Sequence, residues 1–140
     1  MTKDRSLTTA LHALMALAYN YPSLTSSNML ATSICTNPAF LRRLISKLVK
    51  AKIISSTQGK NGGLCLATDP QEITIKDVYL AVYNENYFKV SDKEPFEDCP
   101  VSCKAQDVLE DIYGELQIHM LDKMKSTNIK SLLDKVMEQQ

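Results

Sequence analysis

The chain has 140 residues, 44% hydrophobic and 23% charged, which suits an ordinary soluble globular protein with one real core, or a small domain with an appendage. Its 16 basic and 16 acidic residues cancel, and no apolar run approaches the roughly 20 residues that a membrane span needs. A signal-peptide core is also missing, because the stretch 10–18 is broken by His12 and patterned as a helix. A cytoplasmic location is therefore expected, with Cys35, Cys65, Cys99 and Cys103 as thiols rather than a disulfide framework.

The zero net charge hides a partition. Up to Thr68 there are eight bases and one acid, Asp4, giving +7; the remainder has eight bases and 15 acids, giving −7. From Arg5 to Thr68 there is no Asp or Glu at all. A half that excludes acids is expected to meet a polyanion, and double-stranded DNA is the first candidate.

The elements follow in order. Leu11, Leu14, Met15 and Ala18 recur at helical spacing and predict a helix over 8–19, ended by Tyr21-Pro22. Thr25 is expected to cap a short helix over 26–32. Asn37-Pro38 is a strong start signal, since Asn caps orphan N–H groups and Pro fits the first helical position. The helix it opens, over 38–51, puts Leu41, Leu44, Ile45 and Leu48 on one face and Arg42, Arg43, Ser46, Lys47 and Lys50 on the other. A strand over 53–57, a glycine-rich tip over 58–63 and a return strand over 64–67 predict a hairpin. Thr74 then caps a helix to about Tyr83, with Ile75, Val78, Tyr79 and Val82 inward.

The stretch 84–100 is polar and without periodicity, and reads as a loop whose length suggests function. A long helix over 102–125 carries an apolar stripe of Ala105, Val108, Leu109, Ile112, Leu116 and Met120, broader than one neighbour needs. A last helix over 129–137 presents Leu132, Leu133 and Val136. The fold expected is mainly α with a small β-hairpin wing: a winged helix-turn-helix plus a long C-terminal dimerisation helix. Its parts are a DNA-binding domain over 1–83, a loop and sensing region over 84–101, and a dimerisation helix with a C-terminal helix over 102–140.

Major-groove readout needs hydrogen-bonding groups near the start of the recognition helix and bases flanking them for phosphates. Asn37, Ala39, Arg42 and Arg43 stand where bases or adjacent phosphates are expected. Thr25, Lys47 and the wing-tip pair Lys60 and Asn61 stand where the backbone is expected. An ordinary solvated face would mix signs, because Glu–Lys pairs stabilise exposed helices; this face is all positive. The wing is not a P-loop, lacking the Gly-Lys-Ser/Thr ending.

Cys99-Pro100-Val101-Ser102-Cys103 marks the start of the long helix. The helix dipole favours the reactive thiolate there, while Glu97 and Asp98 oppose it. The C-x3-C spacing alone is unspecific, so two plain thiols and a sensing pair stand level on pattern. Cys35 and Cys65 are expected as half-buried structural residues. His12 and His119 lie far apart, and no catalytic or metal-ligating grouping can be assembled, so no enzyme is expected.

With these motifs in place, the chain resembles the Rrf2 family of bacterial transcriptional regulators over nearly its whole length. The resemblance is carried by the opening Leu7-Thr8-Thr9-Ala10-Leu11-His12-Ala13-Leu14, by Thr36-Asn37-Pro38 through Arg42-Arg43-Leu44-Ile45, and by the wing Gly59-Lys60-Asn61-Gly62-Gly63. Ile73-Thr74-Ile75-Lys76-Asp77-Val78 and Cys99-Pro100-Val101 complete it. The family implies a homodimer on a palindromic operator, joined by the long helix. Several members hold an iron–sulfur cluster on three cysteines near that helix. Only Cys99 and Cys103 are available here, so no cofactor is expected, in keeping with the cluster-lacking branch the chain resembles most. That branch implies a redox- or electrophile-responsive repressor sensing a small reactive inducer at Cys99 and Cys103. The rivals are an iron–sulfur or metal-binding sensor and a protein-interaction module that has lost DNA binding. Gln58 stands for the family's wing Arg, and Cys35 stands where its turn often has Gly.

Overall fold

A computed structural model describes residues 4–83, 88–90 and 92–140. The chain forms two compact units, Met1–Asn84 with Met124–Gln140, and Glu85–Lys123. The first holds α1 (Ser6–Asn20), α2 (Ser27–Ser33), α3 (Pro38–Lys50), β1 (Ile54–Thr57), β2 (Gly63–Leu66), a 3-10 turn at Pro70–Glu72, α4 (Ile75–Val82) and α6 (Ile129–Glu138). The long α5 (Pro100–Lys125) begins in the second unit and ends in the first. This is the helix order and hairpin of the expected winged helix-turn-helix.

α1 is the axis of the first unit and touches α2, α3, α4, β2 and α6. Its Ala10, Ala13, Leu14 and Leu17 are all but fully buried. α3 adds Leu41, Leu44, Ile45 and Leu48, and Ile129 of α6 closes the core from the far end of the chain. α6 is anchored by backbone bonds from Ile129 N to Ile73 O (2.9 Å) and from Ile75 N to Thr127 O (3.0 Å). The last helix, grouped with α5 on sequence grounds, thus packs in the same unit as α1.

Caps explain where the helices start. Thr74 and Asp77 form a reciprocal capping box on α4. The cap of α2 is Ser26, whose Oγ accepts from Met29 N at 3.1 Å, and not Thr25 as the sequence suggested. Thr25 is taken by another task. Its N–H donates to Leu64 O (2.9 Å) and its O accepts from Leu64 N (2.7 Å), so it pairs with β2. It is 7% exposed, and its Oγ1 accepts from Asn20 Nδ2 at 3.1 Å.

Both helices of the turn end alike. Thr36 N donates to Ala31 O and Cys35 N to Thr32 O; Ile53 N donates to Leu48 O and Lys52 N to Val49 O. These are two Schellman endings, which put the residue after the cap in the left-handed region. Cys35 has φ 54° and Lys52 φ 63°. The Cys35 side chain is consequently exposed rather than half-buried.

The hairpin pairs Ile54 with Leu66 and Thr57 with Gly63. Its tip demands glycine twice: Gly59 has φ +101°, and a Cβ on Gly62 would lie 2.0 Å from Thr57 O.

Tyr83, the residue after α4, hydrogen-bonds the Asp4 carboxylate. Burial first, and the Asp4 bond second, push its hydroxyl up to about 12. Asp4 is held below its ordinary value by the Ser6 backbone and side chain first, then by Tyr83.

In the second unit no residue of α5 is buried; Val108, Leu109, Ile112 and Leu116 are all exposed. The described part of the preceding loop is fastened to α5. The Phe88 ring stacks on Tyr113 (5.5 Å), Gln106 Nε2 donates to Lys93 O (3.0 Å) and Phe96 N to Ser102 Oγ (2.8 Å). Of the sensing region expected over 84–101, residues 84–87 and 91 lie outside the described residues.

These local geometries have measurable consequences. A left-handed conformation costs a non-glycine roughly 1–2 kcal/mol, and glycine in its place costs about 0.5–1 kcal/mol in chain entropy. Cys35→Gly and Lys52→Gly should each raise stability by about 0.5 kcal/mol, read as a higher urea midpoint; a lower midpoint would refute the strain. The raised Tyr83 value means that the fold favours the protonated hydroxyl. That contribution is complete below the ordinary tyrosine value of 10.0 and is lost as pH rises through about 12. Wild type should therefore lose more stability than Tyr83→Phe over that alkaline window in paired urea titrations.

Candidate nucleic-acid interface

The face of α3 opposite its buried stripe carries Arg42, Arg43, Ser46, Lys47 and Lys50, all exposed. Asn37 opens the helix. Its Oδ1 accepts from Ala39 N (2.8 Å) and Phe40 N (3.1 Å), so capping uses its oxygen and its NH2 group is left as the donor. Ala39 is exposed in the first turn, where a small side chain lets the helix approach closely.

The two arginines part company. Arg42 borders a groove of about 450 Å3 shared with Ser26, Ser27, Ser56, Thr57 and the wing glycines. Besides Ile45, Leu64 and the Gln58 amide, it is lined by hydroxyls, glycine backbone and one guanidinium and by no acid, a polar side suited to a phosphate oxygen. Arg43 lies over the Phe40 ring at 5.9 Å, one turn earlier on the same helix, so its fork is oriented by a cation–π contact. Lys60 and Asn61 are exposed at the tip of the wing.

Not every residue chosen from sequence faces that groove. Thr25 is buried and ties the wing to the start of α2. Lys47 points elsewhere: its Nζ donates to Val82 O, at the C-terminal end of α4, at 3.2 Å. The groove itself is lined by Ser26, Ser27, Ser56 and Thr57, which sequence reasoning did not single out. Their signal was the run of small hydroxylic residues at the start of α2 and on the exposed face of β1.

At the start of α5, Cys99 occupies the capping position. Its Sγ accepts from Ser102 N at 3.5 Å, and its O accepts from Cys103 N at 3.1 Å. Cys103 is exposed, and its thiol donates to Glu97 O (3.5 Å) and Phe96 O (3.6 Å). Among the described residues, no three His, Cys, Asp or Glu side chains form a group that could hold a metal ion. Two thiols do not fit a three-thiolate iron site within one chain. No helix among the described residues is long and apolar enough to cross a membrane.

Comparison with known proteins supports this reading. The Rrf2 family, described as iron-dependent transcriptional regulators, matches residues 4–135. The HTH-type transcriptional regulator YwnA of Bacillus subtilis, so named as a provisional assignment, is 33% identical over 128 residues, covering 91% of this chain and 94% of YwnA. A solved structure described, also provisionally, as a DNA-binding protein is 34% identical, with TM-score 0.74, covering 91% of this chain and 98% of its own. IscR of T. potens has the same fold at 19% identity, with TM-score 0.75 over 100% of this chain and 91% of its own. A winged helix whose α3 exposes bases and no acid, matched to one family over nearly its full length, leads to one conclusion: the chain belongs to the Rrf2 family of DNA-binding transcriptional regulators.

Proposed function

We propose that the protein acts in the cytoplasm as a homodimeric repressor of a palindromic operator and is released through its Cys99 thiol. The observation that carries the DNA half is the Arg42 groove, where the recognition helix, the start of α2 and the wing meet without an acid. Each subunit would lay α3 in a major groove, with half-sites about 34–36 Å apart or a multiple. Arg42, Arg43 and the Asn37 amide are the base-proximal donors. Ser26, Ser27 and Lys60 are the phosphate contacts, and Asn61 follows the wing. The dimer is supported by α5, whose Val108, Leu109, Ile112 and Leu116 stay exposed in the single chain. Apolar residues repeated along one helix are expected to be covered by a second copy.

The sensing half rests on the position of Cys99. Its sulfur accepts a backbone N–H at the first turn of α5. A peroxide would oxidise it to a sulfenic acid with release of water. Cys103, one turn on, would then condense with that acid, forming a disulfide and a second water. A disulfide there replaces the sulfur cap of α5 and moves the helix that joins the two reading heads.

Log affinity for a selected operator should fall linearly with log salt. Lys60→Gln should shallow the slope by about 0.9 for each phosphate left without its cation, hence about 1.8 per dimer. Mobility shifts across a salt series measure this; a protein that retains no duplex at low salt has a different function. Cys99→Ser should bind the same operator with wild-type affinity and stay bound under a peroxide dose that releases wild type. Normal release of this variant would move the sensor elsewhere.

A further inference from the structure

Asp4 is the one acid among the first 68 residues, and it stands close enough to Lys47 for their charges to interact. The ammonium of Lys47 meets a second negative end there. α4 carries no basic residue in its last turn, and Lys47 donates to the carbonyl of Val82, the last residue of that helix, at 3.2 Å. The next residue, Tyr83, hydrogen-bonds Asp4. One cation on α3 is therefore bonded to a carbonyl at the negative end of the α4 dipole, while its neighbours Arg42 and Arg43 face the wing groove and the Phe40 ring.

Resting on the DNA-binding reading above, we propose that Lys47 is a positioning residue and not a phosphate contact: with Asp4, Val82 and Tyr83 it fastens the C-terminal half of the recognition helix to the end of α4. An ammonium that stays bonded to a carbonyl and meets no phosphate displaces no counterion from DNA. What it supplies is angle. α3 is held at its start by the Asn37 cap and along its length by its apolar stripe. The Lys47 tie fixes its far half against rotation about that stripe, and rotation would carry Arg42 out of the wing groove.

The test uses full-length protein and two probes: the tightest duplex that wild type selects from a random pool, and a random duplex of equal length. Lys47→Gln should keep the wild-type salt slope on both, while the ratio of selected to random affinity falls about tenfold, the scale of one misplaced bidentate base contact. Lys47→Arg, which still donates to a carbonyl, should recover most of that ratio. Tyr83→Phe leaves every base in place and should show the same pattern of unchanged slope and reduced ratio. The proposal is overturned if Lys47→Gln shallows the slope by about 1.8 per dimer and weakens both duplexes alike. It is equally overturned if either Lys47→Gln or Tyr83→Phe matches wild type in both readouts. If wild type selects no duplex, the DNA-binding reading itself fails, which separates the two failures.

Discussion

Burying one face of α3 settles where the functional groups of the reading domain point. Leu41, Leu44, Ile45 and Leu48 are each less than a tenth exposed, and burying each side chain is worth about 2 kcal/mol. Turning the helix by one residue would expose that stripe and drive Arg42 or Ser46 into the core, an exchange the domain could not survive. Packing thus excludes a turn of α3 by a whole residue before any DNA is present. Arg42 and Arg43 are held outward by the buried residues behind them, so the exposed basic face is organised by the core.

The rest of the domain turns that fixed face into a groove. Two Schellman endings set the angles at which the chain leaves α2 and enters the hairpin. Both are made with side-chain-bearing residues, Cys35 and Lys52, in a conformation that favours glycine. The wing needs its glycines because Thr57 O leaves no room for a side chain at Gly62. Thr25 then pairs its backbone with Leu64 and draws the start of α2 against β2. Ser26 and Ser27 reach the groove through that pairing. A residue that looks like a surface hydroxyl in the sequence works as a buried clasp, two removes from the ligand.

What the sequence made legible was whatever obeys a local rule. Helical periodicity located α1, α3 and α5, Asn37-Pro38 placed the start of α3, and Thr74 with Asp77 signalled the box on α4. The glycine cluster marked the wing. What it missed depends on contacts between distant segments. Thr25 and Ser26 are adjacent and equally good caps, and only the pairing with Leu64 decides between them. Nothing in the local pattern says that Ile129 belongs beneath α1, since that follows from its bond to Ile73. Lys47 has the spacing of a phosphate ligand, and its bond to the Val82 carbonyl follows only from tertiary position.

The acid-free stretch shows the same limit from the other side. Charge counting treats every base between Arg5 and Thr68 as a partner for DNA, yet the acid that precedes the stretch marks the exception. Asp4 keeps its charge: its carboxyl is held below the ordinary value by Ser6 first, then by Tyr83, and last by the charge of Lys47. An acid tolerated in an otherwise acid-free half is informative because of what it must be bonded to. Lys47, whose charge acts on it, is the base of α3 that bonds the Val82 carbonyl at the end of α4.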